Sequence, residues 1–143
     1  MNLKRVTWMS VVLYLVTFAI GLVVGAFFSY DPTVTMQIPM NVLILTLLLT
    51  LVATALVTKW YFTKKPAMKP SLKEGALFGV AFMIVGTILD LLLVIPFVLT
   101  SIASWSDVLV YYVNPLFWIT LVLLIGTTSL TGLALQKSKK RER

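Results

Sequence analysis

Four long stretches of the 143-residue chain are almost free of charged residues. They cover residues 6–29, 39–62, 72–99 and 113–136. Each is longer than the roughly 20 residues that a helix, rising about 1.5 Å per residue, needs to cross a hydrocarbon core about 30 Å thick. The pattern predicts an all-α integral membrane protein: one domain of four transmembrane helices in an antiparallel up-down bundle.

The composition is that of a protein surrounded by lipid rather than water. Hydrophobic residues make up 59% of the chain and charged residues 12%, whereas soluble domains carry about 25% charged residues. Cysteine and histidine are absent, so the chain lacks disulfides, thiolate and imidazole ligands, and the side chains most often used as nucleophile or base near neutral pH. We therefore expect a protein that is not an enzyme and has no cofactor or bound metal.

The basic residues predict the orientation of the helices. All twelve lie before the first stretch, around the connection between the second and third, or near the end of the chain, including a basic tail at 137–143. The connections at the opposite end contain only Asp31 and Asp107 as charged residues. Because Lys and Arg that flank a span stay on the cytoplasmic side, we expect both termini in the cytoplasm. The expected location is a cell membrane, most simply the cytoplasmic membrane of a prokaryote.

The net charge of +7 does not indicate a nucleic-acid-binding protein. The basic residues form short patches beside apolar runs, not a stripe along one soluble surface. The basic tail is suited to anionic lipid headgroups, which attract each nearby Lys or Arg by about 1 kcal/mol. The expected partners are membrane lipid and either further copies of the chain or another membrane protein.

The third stretch has the clearest helix start. Ser71 is followed by Glu74, a capping-box pattern in which the serine hydroxyl accepts a hydrogen bond from an amide in the first turn. Pro96 is expected to kink or end this helix. Because the cap accounts for Glu74, Asp90 is the acidic residue within the stretches that has no evident structural explanation.

Small and polar residues follow one face of each predicted helix. Ser10, Tyr14, Thr17, Gly21 and Gly25 share a face of the first helix. Gly79 and Gly86 align with Asp90 on the third helix, and threonines recur at every fourth position from Thr46 to Thr58 on the second. Helices in lipid associate through such residues, so Gly21, Gly25, Gly79 and Gly86 are predicted packing positions. Packing explains these stripes without a binding site.

Asp90 lies about 24 Å from Glu74 along the third helix, in the outer half of the predicted bundle. In an antiparallel arrangement, Thr46, Thr50 and Thr120 lie at a similar depth. An ionisable residue inside a membrane is a functional candidate by default, so one interpretation is a proton or cation site formed by Asp90 and these threonines. The other is structural: the carboxyl hydrogen-bonds to threonines and stabilises packing within the chain or between copies.

Two functions remain open. The first, which we favour, is an accessory or structural membrane component without catalytic activity. The alternative is a small proton- or cation-linked transporter or channel that uses Asp90. The chain is similar in length and helix number to the small multidrug resistance exporters. Their essential membrane carboxylate lies in the first helix, however, where this chain has none, so their mechanism does not carry over.

Overall fold

A computed structural model describes residues 3–29, 39–64, 69–100 and 104–141. All regular structure in these ranges is helical: α1 Leu3–Phe27, α2 Met40–Thr63, α3 Leu72–Leu99, α4 Trp105–Val113 and α5 Pro115–Arg141. Helices α1, α2, α3 and α5 are long and apolar enough to cross a membrane, which confirms the prediction of four such helices. The short helix α4 has 9 residues and precedes the fourth of them.

Local side-chain chemistry sets several helix ends. The Glu74 amide donates to the Ser71 hydroxyl at 3.1 Å, so the predicted N-cap of α3 is confirmed. The Leu116 amide donates to the Asn114 side chain at 2.9 Å. Asn114 lies between α4 and α5, and this bond caps the start of α5. Pro96 lies in the last turn of α3, where the Thr100 amide donates to the Pro96 carbonyl. The proline therefore lies close to the point where the helix ends.

The four long helices form a closed ring of contacts. Helix α1 packs on α2 and α3, and α5 packs on the same two helices. The order around the bundle is therefore α1–α2–α5–α3, and α2 lies diagonally opposite α3 although the two are consecutive in the chain. We call the end where α1 and α3 begin the basic end, and the opposite end, where α4 packs on α5, the distal end.

The buried core is densest towards the basic end. Its fully buried large side chains include Met9, Leu13, Tyr61, Phe62 and Phe78. Tyr61 stacks on Phe78 with ring centroids 4.7 Å apart, which joins α2 to α3. Many large apolar side chains on the outer faces of the long helices are exposed. Apolar surroundings would stabilise such a surface.

Helices α3 and α5 approach most closely where glycines replace side chains. A β-carbon on Gly75 would lie 2.9 Å from Cα of Ser129, and one on Gly79 would lie 3.0 Å from Cα of Ile125. Both distances are too short for an unstrained contact. A β-carbon on Gly132 of α5 would likewise lie too close to the Ser71 backbone at the start of α3. These three glycines allow the two backbones to come together.

The other predicted packing glycines differ in their surroundings. No atom of another helix lies within 4 Å of where a β-carbon on Gly21 would be. Gly25 is buried in α1. Gly86 faces the Tyr14 ring, whose Cδ2 would lie 3.7 Å from an added β-carbon, an ordinary van der Waals distance. Among the glycines whose surroundings the structure describes, those in close backbone contact therefore lie between α3 and α5.

Candidate functional site

Asp90 forms a hydrogen bond with a tyrosine of another helix. The Tyr14 hydroxyl of α1 donates to Asp90 Oδ1 of α3 at 2.7 Å. The tyrosine is buried, whereas the aspartate is half-buried. The candidate site is therefore a phenol–carboxyl pair that joins α1 to α3.

Neighbouring residues position the Tyr14 side chain. Gly86 lies one turn before Asp90 on the same face of α3, and the Tyr14 ring packs over it. Phe18 lies one turn after Tyr14 on α1, and the two rings stack with centroids 6.3 Å apart. The phenol ring therefore lies against α3 beside Gly86 and extends its hydroxyl to Asp90.

The threonines that were expected around Asp90 do not hydrogen-bond to it in the described part of the chain. The Thr120 hydroxyl donates to the Leu116 carbonyl of its own helix at 2.8 Å. Thr50 is buried and Thr46 half-buried, but both belong to α2, which lies diagonally across the bundle from α3. The hydrogen-bond partner of Asp90 in the structure is therefore Tyr14, and an ion site with these threonines stays a prediction.

Two of the four threonines that recur along α2 from Thr46 to Thr58 bond to their own helix. Thr54 donates to the Thr50 carbonyl at 2.7 Å, and Thr58 donates to the Thr54 carbonyl at 2.6 Å. A threonine hydroxyl in a helix readily bonds to the carbonyl four residues earlier. These groups are buried without needing a ligand or a partner from another helix.

Helix α4 lies near the pair at the distal end. Tyr112 is half-buried there, and its ring makes an edge contact with Phe117 at 5.1 Å between centroids. Burial raises the pKa of the Tyr112 phenol, and a negative charge on Asp90 acts in the same direction. The Asp90 carboxyl is therefore within electrostatic reach of α4, which is not one of the four long helices.

Tyr14 is the residue that sequence reasoning did not assign to the site. It was placed on the small and polar face of the first helix with Ser10 and Thr17, and that shared face is the signal in the sequence. The pairing itself depends on how far α1 is shifted along α3. Periodicity within one helix carries no information about that shift.

The chemistry of the pair is limited to hydrogen bonding and proton or cation binding. Among the described residues, no group of three or more acidic side chains could hold a metal ion. A phenol–carboxyl hydrogen bond can hold two helices in register, and a carboxyl can also take up a proton or a small cation.

No family model matches the chain, and no curated protein or solved structure matches it either.

Proposed function

We propose that the protein is a four-span integral membrane protein that acts as an accessory or structural component and has no catalytic activity. Four apolar helices with exposed apolar faces support a place in the bilayer. The basic residues that flank them support cytoplasmic termini by the positive-inside rule. A cell membrane of the prokaryotic cytoplasmic type fits this arrangement, with lipid and other membrane protein, including copies of the chain, as partners.

The hydrogen bond between Tyr14 and Asp90 is the observation that carries the structural role. Asp90 is the acidic residue of the long helices that lies away from a helix start. Its carboxyl accepts a hydrogen bond from another helix at 2.7 Å, while buried threonines bond to their own backbone. The Tyr14–Asp90 pair thus joins two helices, which those threonine hydroxyls do not.

The position of Asp90 also supports a second candidate, a proton- or cation-linked transporter or channel. The carboxyl is half-buried rather than enclosed, and it lies near α4 at the distal end. On this alternative, Tyr14 would hold the carboxyl in position between binding events.

Flux measurements in proteoliposomes distinguish the two functions. We expect the wild-type protein and Asp90→Asn to give the same proton and sodium flux as protein-free vesicles, because a structural pair moves no ion. Glu74→Gln is the matched control, since it removes the other acidic side chain of α3. A wild-type flux that Asp90→Asn abolishes and Glu74→Gln retains would reject the structural role in favour of transport.

A further inference from the structure

Helix α5 carries a concave polar surface at the basic end. Lys137, Ser138 and Arg141 line a concavity of about 390 Å³ together with Ala134. Residues three or four apart lie on one face of a helix, so these side chains point to the same side of α5. An ammonium group, a hydroxyl and a guanidinium surround a small apolar floor, and all of them are exposed.

The donors in this concavity suit a phosphate group. None of the described side chains that line it is acidic, so the charged groups described there offer hydrogen-bond donors and positive charge. Guanidinium groups bind phosphate through two parallel hydrogen bonds, and ammonium groups bind it as point charges. The small side chain of Ala134 leaves space at the centre.

Exposed leucines extend the same face of α5 towards the distal end. Leu116, Leu123 and Leu130 are 48%, 39% and 64% exposed, and they recur every seven residues up to Lys137. A seven-residue repeat drifts by only about 20° per step on a helix. An apolar ridge therefore leads directly to the polar concavity.

A ligand that matches both parts of this face needs an anionic head and an apolar tail. Free phosphate would use the concavity and leave the ridge unused, whereas an acyl chain without a headgroup would leave the donors unused. A phospholipid has both groups in the required order, with its headgroup beyond the apolar part of the helix. The chemistry of the face is that of a lipid site.

We propose that this face of α5 binds one anionic phospholipid of the adjacent leaflet. The lipid phosphate lies among Lys137, Ser138 and Arg141, and an acyl chain follows Leu130 and Leu123. The proposal rests on membrane insertion as proposed above. It differs from general attraction to a basic tail because it assigns binding to one face of the helix.

Native mass spectrometry of the protein in an uncharged detergent tests the site. Dioleoylphosphatidylglycerol is titrated in one arm, and dioleoylphosphatidylcholine and inorganic phosphate in two others. We expect one tightly retained phosphatidylglycerol and weaker binding of the other two probes. The double variant Lys137→Gln/Arg141→Gln should bind phosphatidylglycerol about thirtyfold more weakly, since each basic residue near a lipid surface contributes about 1 kcal/mol.

Two further variants distinguish lipid binding at this face of α5 from general attraction of lipid to positive charge. Lys139 is also exposed but lies about 160° around the helix from Lys137, at about 100° per residue. We expect Lys139→Gln to change the affinity by less than about twofold. Ala134→Leu fills the floor without altering charge and should weaken binding about tenfold.

Three results would overturn the site. They are equal losses for Lys137→Gln and Lys139→Gln, equal retention of phosphatidylglycerol and phosphatidylcholine, or phosphate binding as tight as lipid binding. The assay uses solubilised protein and does not depend on orientation. A failure here is therefore distinguishable from a failure of the proposed topology, which is tested separately by cysteine labelling.

Discussion

Single side chains connect helices that are distant in sequence. Tyr14 links α1 to Asp90 of α3. At the basic end, the Arg5 guanidinium donates to the carbonyls of Tyr61 and Lys64, at 2.6 Å for Lys64. Carbonyls in the last turn of a helix have no partner within it, so Arg5 of α1 caps α2. In each link, a long polar side chain of α1 donates to an oxygen atom of another helix.

A double-mutant cycle on Tyr14→Phe and Asp90→Leu measures the energy of the phenol–carboxyl pair. We expect a coupling energy of about 1 kcal/mol, because interhelical hydrogen bonds in membrane proteins reach at most about 1.7 kcal/mol in such cycles. The free energy of unfolding is obtained by titration with sodium dodecyl sulfate in mixed micelles. Tyr14→Phe combined with Glu74→Gln is the control and should be additive. A coupling near zero for Tyr14 and Asp90 would show that the hydrogen bond does not hold the helices.

At the scale of helices, α3 uses different positions to contact its two neighbours. Gly75 and Gly79 bring its backbone against α5 near the basic end, whereas Gly86 and Asp90 meet the Tyr14 side chain of α1 further along. Contact with α5 therefore leaves no space for an added carbon at Gly75 or Gly79. Contact with α1 is made through the Tyr14 side chain and leaves space for an added carbon at Gly86.

Alanine substitutions at two glycines should shift stability in opposite directions. Gly75→Ala places a carbon 2.9 Å from Ser129 Cα and should destabilise the bundle by about 1–3 kcal/mol, the usual cost of overpacking. Gly126→Ala is the matched control, because nothing lies within 4 Å of its added carbon. It should stabilise α5 by about 0.5–1 kcal/mol, since alanine is the better helix former. Thermal unfolding in detergent gives both values, and equal shifts would contradict the close packing of α3 on α5.

At the scale of the whole molecule, polar and apolar surfaces are separated along the bundle. The long helices expose apolar side chains over their outer faces. Exposed Lys4, Lys59, Lys73 and Lys139 lie at the basic end, whereas Ser104 and α4 lie at the distal end. This separation is the basis of the proposed orientation.

Cysteine labelling in intact cells tests that orientation. The chain has no cysteine, so Ser104→Cys introduces a single thiol at an exposed distal position. A membrane-impermeant maleimide should label it in intact cells. Thr63→Cys, at an exposed position of the basic end, should react only after the membrane is permeabilised. The reverse pattern would show that the termini face outwards.

Local sequence was sufficient to predict the four long helices and the cap at Ser71. Helix length follows from an unbroken apolar run, and an N-cap needs only a serine beside the first turn. At the candidate site, the sequence drew attention to Asp90 but did not predict its hydrogen bond with Tyr14. A single helix shows which residues share a face, but not which neighbouring helix that face meets.

Packing between helices specified the remaining features. The order α1–α2–α5–α3 places α2 across the bundle from α3, so Thr46 and Thr50 belong to the helix diagonally opposite Asp90. The shift of α1 along α3 brings Tyr14 to Asp90. Neither the order nor the shift follows from periodicity, because both depend on which surfaces fit together once all four helices are formed. Close contacts such as that of Gly75 with α5 exist only in the assembled bundle.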